Sequence, residues 1–247
     1  MATTPKGTRL SRIGSWSAAI GLLLIAISAG RKLGLIGSPM AAFIALGLGG
    51  LAMFIALVTA GLGLLRSGGS AGGASRLATW LAFAAALVVS GISVNNMRSM
   101  GGPPIHDIST DTANPPQFVD VVPLRQADNA ANPSEYLAGE TAAAQAQAYP
   151  DLQTIVMTVP ADQAFEKAET AARAMGWEIV AAVPAEGRIE ATATTKWIGF
   201  KDDVVIRIVG DDTATRVDIR SKSRVGKGDA GMNARRIRAF RDKLSAA

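Results

Sequence analysis

The first hundred residues carry eight Lys and Arg side chains and no Asp or Glu, and they contain three long apolar runs. The runs cover about 13–30, 40–65 and 77–94, and none of them includes a charged residue. A bilayer core about 30 Å thick needs roughly 20 helical residues, and a charge at its centre costs about 2.5–3.5 kcal/mol. The sequence therefore predicts a membrane domain over residues 1–100 with three transmembrane helices, and it excludes a single soluble globular unit.

Small residues indicate how these helices are joined and packed. The Gly- and Ser-rich segment 66–76 predicts a flexible loop between the second and third helices. Small side chains that would let helices approach closely recur at four-residue spacing: Ala52, Ala56 and Ala60, and Ala82, Ala86 and Ser90.

The distribution of Lys and Arg predicts the orientation. With three spans, five basic residues share the side of the N-terminus and three lie on the other side. Because basic loops stay in the cytoplasm, we expect a multi-pass protein of the bacterial inner membrane with a cytoplasmic N-terminus and an extracytoplasmic C-terminal domain. A cleaved signal peptide is the alternative for the first run, since Ala26-Ile27-Ser28 suits a small-residue cleavage site.

The composition also excludes several kinds of site. The chain has no cysteine, which excludes disulfides and thiolate metal sites, and its one histidine, His106, leaves little room for a His-based catalytic triad. No nucleotide-binding, zinc or nucleophile-elbow motif is found. We therefore predict no catalytic, metal-binding or cofactor-binding residues and no cofactor.

The polar half divides into two parts. Residues 101–150 are rich in proline, so continuous helix or a central strand is unexpected there, and we predict a Pro-rich strap or linker. Residues 151–247 show the periodicities of an α+β domain, an antiparallel sheet with helices on one face. Strands are predicted at 154–159, 177–183, 188–195, 203–209 and 215–222, and helices at 161–175 and about 229–245.

Short motifs of the polar half resemble the domain-of-unknown-function family 1499. They are Pro-Ile-His-Asp-Ile-Ser-Thr-Asp at 104–111, Asn-Pro-Pro at 114–116, Gly-Trp at 176–177, and the stretches 189–191, 199–203, 217–226 and 233–237. The resemblance spans about 103–244 and implies a domain boundary rather than a mechanism, because the family has no established activity. Many of its members carry a cysteine-containing opening that this chain lacks, so a redox role does not transfer.

The segment after the membrane half clusters polar side chains at His106, Asp107, Ser109 and Asp111. Oxygen ligands at this spacing suit a hard cation, and His106 with Ser109 suggests a base and a nucleophile. Turn formation is the favoured interpretation, because Asp and Ser before proline-rich sequence commonly hydrogen-bond their own backbone.

An aromatic loop is predicted between two strands, with Trp197 and Phe200 flanked by Lys196 and Lys201. Large aromatics beside lysines suit a membrane interface or the rim of a ligand pocket. The alternative is that both rings cap the core of the sheet.

A hairpin with a four-residue loop at 210–213 would place Arg207 opposite Arg216. Val205 would then face Asp218, and Asp203 would face Arg220. One sheet face would carry four cations: Arg207, Arg216, Arg220 and Lys222. Like charges in direct opposition are destabilising, so the face either binds an anion or is neutralised locally by Asp218.

In the last helix, Asn233 falls beside Ile237 and Phe240 on the apolar stripe. A buried amide needs hydrogen-bond partners, so we expect a structural role that ties the helix to the preceding loop at 223–229.

Three functions follow, in order of preference. The first is a non-enzymatic extracytoplasmic domain of an integral membrane protein that binds an anionic lipid, an envelope component or a protein partner. The second is a helix-grip-like carrier of an apolar ligand, which requires a hollow between the last helix and the sheet. The third is a hydrolase that uses residues 106–111, and no nucleic-acid binding is expected.

Overall fold

The computed structural model describes residues 6–66, 73–99, 101–210 and 214–246. The chain forms two compact units: a membrane unit of Met1–Ser99, to which Lys196–Gly199 also belongs, and a C-terminal unit of Met100–Thr195 and Phe200–Ala247. Most of the predicted loop at 66–76 and residues 211–213 of the predicted hairpin loop lie outside the described residues.

The membrane unit consists of three long helices, α1 (Lys6–Ala29), α2 (Pro39–Arg66) and α3 (Gly73–Ser99). Three segments are long and apolar enough to cross a membrane: Thr8–Leu33, which continues from α1 into a 3-10 turn at Gly30–Leu33, Pro39–Arg66 of α2, and Arg76–Asn95 of α3. The predicted N-terminal half of three apolar helices is therefore confirmed.

Local sequence explains where α2 begins. The Ser38 hydroxyl oxygen accepts a hydrogen bond of 3.2 Å from the backbone N–H of Ala41, and Pro39 is the first residue of the helix. A hydroxyl N-cap followed by proline is a favourable helix start, because proline has no N–H to leave unpaired.

Glycines bring α1 and α2 into close contact. A Cβ atom added at Gly14 would lie 2.6 Å from the backbone nitrogen of Ala60. One added at Gly63 would lie 2.7 Å from the backbone nitrogen of Ser11. The two backbones therefore approach more closely than any side chain at these two positions allows.

The small residues expected to lie between helices are mostly buried. Ala52 and Ser90 are half-buried, and the others are buried: Ala56, Ala60, Ala82 and Ala86. The four-residue spacing thus identified the alanine contacts, and the glycine contacts came only with the structure.

Replacing Gly14 by Ala should destabilise the membrane unit. The added methyl group collides with Ala60, and overpacking of this kind costs about 1–3 kcal/mol, more than the gain of about 1 kcal/mol in helix propensity. The matched control is Gly47→Ala, where an added Cβ has no neighbour within 4 Å. Thermal unfolding of the full-length protein in detergent should show a lower Tm for Gly14→Ala and an equal or higher one for Gly47→Ala. Equal behaviour of the two variants would contradict the glycine contact.

The C-terminal unit is an α+β domain, as predicted. Its elements are β1 (Asp107–Ser109), α4 (Val121–Ala127), α5 (Ala138–Ala148), β2 (Ile155–Met157), α6 (Ala161–Ala174), β3 (Glu178–Val183), β4 (Arg188–Thr194), β5 (Lys201–Gly210), β6 (Thr215–Ser223) and α7 (Met232–Ala246). The strands form one antiparallel sheet in the order β1-β6-β5-β4-β3, and β2 pairs with β6 beside β1.

Helices α6 and α7 cover one face of the sheet with an apolar core. On α6, the predicted stripe is buried at Ala164, Phe165 and Ala168. Trp177 stacks on Phe240 of α7 with ring centroids 5.7 Å apart. Burial of each such ring contributes roughly 1.5–3 kcal/mol, so this face supplies most of the apolar stabilisation of the domain.

This core is filled, and it gives no support to the alternative of an apolar-ligand carrier. The residues that would line the required hollow are all 5% exposed or less and belong to a single cluster with Phe240: Ile189, Ala191, Ala193, Ile206 and Ile208. Side chains of α6 and α7 occupy the space that a helix-grip carrier leaves for its ligand.

The Pro-rich segment 101–150 contains more structure than expected. It forms β1, the seven-residue helix α4 and the eleven-residue helix α5, so the expectation of no continuous helix was wrong for α5. The reason is the placement of the prolines. Pro123 lies in the first turn of α4, where its missing N–H breaks no hydrogen bond, and the other prolines lie between the elements.

Candidate functional site

The charged residues singled out in the sequence lie on the sheet face opposite α6 and α7, which we call the polar face. Its members on three adjacent strands are Arg188, Glu190 and Thr192 of β4, Asp203, Val205 and Arg207 of β5, and Asp218, Arg220 and Lys222 of β6. Arg216 shares this face at the end of β6.

The register between β5 and β6 differs from the predicted one. Arg207 faces Asp218 instead of Arg216, Val205 faces Arg220, and Asp203 faces Lys222. Gly210 pairs with Thr215, so the loop begins one residue later than expected and the whole pairing moves by two residues. The observed register places opposite charges across the strand pair, which is the stabilising arrangement.

The segment 101–150, the strap, supplies the carboxylates for the polar face. Four of its aspartates each pair with cations of the sheet: Asp107 with Arg220 and Lys222, Asp111 with Arg207, Asp120 with Arg188, and Asp128 with Lys201 and Arg224. A segment of the same chain therefore covers the basic face, which favours local neutralisation over anion binding, with the strap aspartates acting beside Asp218.

The first buried centre is built around Asp107, whose carboxylate accepts two hydrogen bonds from Arg220, at 2.9 and 2.8 Å. The Lys222 ammonium lies 3.0 Å from the same carboxylate. All three side chains are 2% exposed or less. Burial lowers the pKa of Lys222, while Asp107 opposes that shift.

Aromatic rings and carbonyl groups of the strap complete this centre. The Arg220 guanidinium lies 4.7 Å from the centre of the Phe118 ring and 5.3 Å from that of Tyr136. Burial, with Asp107 nearby, raises the pKa of Tyr136 to about 12. Arg220 also donates to the carbonyl oxygen of Ser134, and Lys222 donates to that of Glu135 at 2.6 Å.

The second buried centre is built around Asp203, which is 0% exposed. Arg125 of α4 donates to its carboxylate at 2.6 Å, and Arg224 donates to both of its oxygens, at 2.9 and 2.7 Å. Thr192 adds a hydroxyl donor at 2.9 Å. Burial lowers the pKa of Arg125, and Asp203 opposes that shift.

The two centres hold four cations against two carboxylates, and strap carbonyl groups accept hydrogen bonds from the excess cations. A buried charge is tolerated when it is paired and hydrogen-bonded, and removing one partner of a buried pair typically costs about 3–5 kcal/mol. The ion pairs of the two centres therefore fix the strap on the sheet, and their role is structural.

The predicted binding residues do not form one surface. Arg220 and Lys222 are buried, and Arg207 is 25% exposed and bonded to Asp111 and Asp218. Arg216 is exposed at the end of β6, beside Val156 and Val209, and has no ion pair among the described residues. Trp197 and Phe200 lie on the loop that precedes β5, whereas Arg216 pairs with Val209 near the other end of this strand.

The cluster at 106–111 contains strand β1, and the favoured interpretation of turn formation holds only for Ser109 and Asp111, since Asp107 forms ion pairs instead. The Ser109 hydroxyl donates to the carbonyl oxygen of Asp111 at 2.8 Å, and His106 Nδ1 lies 3.3 Å from the carbonyl oxygen of Lys227. Asp111 accepts hydrogen bonds from the backbone N–H groups of two following residues. Although burial acts to raise it, the pKa of Asp111 is lowered by these bonds and by Arg207. No group of three metal ligands occurs within the described ranges.

Asn233 lies fully buried at the start of α7. Its amide oxygen accepts from the Ser221 hydroxyl at 2.7 Å, and its amide nitrogen donates to the carbonyl oxygen of His106 and to Ser223, both at 3.0 Å. Asn233 therefore joins α7 to β6 and to the strap.

The aromatic loop between β4 and β5 is closed by two hydrogen bonds. The Thr195 N–H donates to the carbonyl oxygen of Phe200 at 2.8 Å, and the Phe200 N–H donates to the Thr195 hydroxyl oxygen at 2.9 Å. Trp197 is 46% exposed, and Lys196 is exposed. The loop thus presents one large ring and one cation to solvent from a fixed base.

Sequence reasoning missed several members of the ionic network, chiefly Arg125, Glu190 and Arg224. Glu190 is fully buried and accepts from the N–H groups of Val119 and Val121 at the start of α4. The sequence did contain a usable signal for this network, since the strap has four aspartates and β4 to β6 have basic residues with which they could pair.

Together these features define a membrane protein in which three apolar helices precede an α+β domain closed by an ionic strap. Residues 107–244, more than half of the chain, match the family described as protein of unknown function (DUF1499). The chain belongs to this family, as its motifs indicated. No curated protein matches the chain.

Replacing Arg207 by Gln should destabilise the protein, because it removes the ion pairs with Asp111 and Asp218 and a bond to the carbonyl oxygen of Asn114. Hydrogen bonds to charged groups contribute about 1.5–3 kcal/mol, so a loss of this order is expected. Arg216→Gln is the matched control and should change the free energy of unfolding by less than about 0.5 kcal/mol. Urea unfolding followed by tryptophan fluorescence measures both. If Arg207→Gln instead raised the free energy of unfolding, this result would contradict the observed register and favour the predicted one, in which Arg207 and Arg216 repel each other.

Proposed function

We propose that this is an integral membrane protein whose C-terminal domain is a non-enzymatic binding module, and that it contacts anionic lipid headgroups through the loop between β4 and β5. The observation that carries the proposal is the exposed Trp197 on a closed loop, with exposed Lys196 beside it. An apolar ring with a polar edge, flanked by a cation, suits the boundary between acyl chains and headgroups.

The charge at this end of the sheet supports an anionic ligand. Lys196 has no ion pair among the described residues, whereas Lys201 pairs with Asp128, and Arg224 pairs with both Asp128 and Asp203. The hydrogen bond from Lys201 lowers the pKa of Asp128, so this carboxylate stays ionised beside Lys201, and Lys196 supplies the positive charge that these pairs leave over. Each basic residue near an anionic lipid surface contributes about 1 kcal/mol of binding.

The geometry gives less support to the other functions. A carrier needs a hollow that the core of α6 and α7 fills. A hydrolase would need Ser109 to be activated by His106, and the Ser109 hydroxyl instead donates to the backbone of Asp111. A membrane-surface contact uses groups that remain exposed, and of these Lys196 has no ion pair among the described residues.

The test of the loop uses the full-length protein in vesicles that contain a brominated anionic phospholipid, in a background where Trp16 and Trp80 are replaced by Phe. Trp177 is only 8% exposed, so Trp197 should carry the fluorescence that bromine quenches. Adding Trp197→Phe should abolish the quenching, and Lys196→Gln should reduce it most at low salt, because salt screens exposed charges. Quenching that persists without Trp197, or that is equally strong in neutral vesicles, would refute the proposal.

We further propose that the protein lies in a bacterial inner membrane with its N-terminus in the cytoplasm and its C-terminal domain outside. The five basic residues on the N-terminal side against three on the other support this orientation. A phosphatase that is active only outside the cytoplasm, fused after Ala247, should be active. If a fluorescent protein that matures only in the cytoplasm is bright at the same position, the orientation is the reverse.

A further inference from the structure

A groove opens between α1 and α3 at the N-terminal end of both helices. Its volume is about 190 Å³. It is lined by Ser11, Arg12, Ser15 and Trp16 of α1 and by Ala78 and Thr79 of α3. Small hydroxyl side chains therefore lie beside one long cation and one large ring.

The cation in this groove has no carboxylate to pair with in its own unit. The first hundred residues contain no Asp or Glu, and Arg12 is exposed. Arg76, near the start of α3, is also exposed. An unpaired guanidinium at a membrane surface attracts anions, and its planar fork matches the oxygens of a phosphate group.

Two tryptophans indicate at which level of the membrane the groove lies. Trp16 follows Arg12 by one helical turn and is 71% exposed, and Trp80 follows Arg76 in the same way and is 50% exposed. Tryptophan is enriched at the level of lipid headgroups. Four residues of helix rise about 6 Å, so each arginine lies just outside its tryptophan, where lipid phosphates are found.

From this arrangement we propose that the groove between α1 and α3 binds the phosphate headgroup of an anionic phospholipid. Arg12 holds the phosphate, the hydroxyl-lined wall admits the polar headgroup, and Trp16 packs against the glycerol and upper acyl chain. The site uses no residue of the β4–β5 loop, so it is independent of the function proposed above.

The experiment is native mass spectrometry of the full-length protein in neutral detergent, with phosphatidylglycerol or phosphatidylcholine added at equal concentration. We expect retained phosphatidylglycerol at several times the level of phosphatidylcholine. Arg12→Gln should reduce the affinity for phosphatidylglycerol about fivefold, the effect of one cation near an anionic headgroup, and Arg12→Lys should restore part of it.

The matched control is Arg66→Gln, which removes an exposed cation that does not line the groove. This variant should bind phosphatidylglycerol as the wild type does. Equal losses for Arg12→Gln and Arg66→Gln would overturn the proposal, because they would show diffuse attraction by net charge. Equal binding of the two lipids would also overturn it. Displacement of the lipid by inorganic phosphate would show a site for free phosphate and overturn the lipid assignment.

Discussion

The buried ion pair between Asp107 and Arg220 is the contact on which the architecture of the C-terminal domain depends. It joins β1, which belongs to the strap, to the neighbouring strand β6, and both side chains are 2% exposed or less. Two parallel hydrogen bonds give it a fixed geometry, and Lys222 shares the same carboxylate. Because an unpaired buried charge is costly, the strap and the sheet depend on each other for folding.

The two faces of the sheet are consequently closed by different chemistry. Aromatic and aliphatic side chains of α6 and α7 fill one face, and ion pairs with the strap close the other. The apolar face contributes stabilisation that changes little with pH, whereas Asp111 and Asp128, whose pKa values are lowered by their hydrogen bonds and cationic partners, stabilise the ionic face only while they are charged. Trp197, at one end of the sheet, and Arg12, on a membrane helix, are exposed.

Those elements whose signal is local were predicted well. The three membrane helices follow from the length of uncharged apolar runs, and α6 follows from a stripe at helical spacing that ends before Gly176. The β5–β6 hairpin was found, with its pairing wrong by two residues, because a loop that starts one residue later keeps every side chain on the same face. The pattern of alternation alone does not distinguish these two registers.

The sequence by itself determined the division into a membrane half and an α+β half, the family, and which charged residues share a sheet face. These follow from composition and from periods of two and 3.6 residues, which act over short stretches of chain. Only the tertiary structure decided that Asp107 meets Arg220, that Asp128 meets Arg224, and that the basic face is closed. These partners are about a hundred residues apart, and any strap carboxylate satisfies any sheet cation electrostatically. The choice among them is made by β1 pairing with β6 and by the packing of Phe118 and Val121 on Val205, which are contacts between distant parts of the chain.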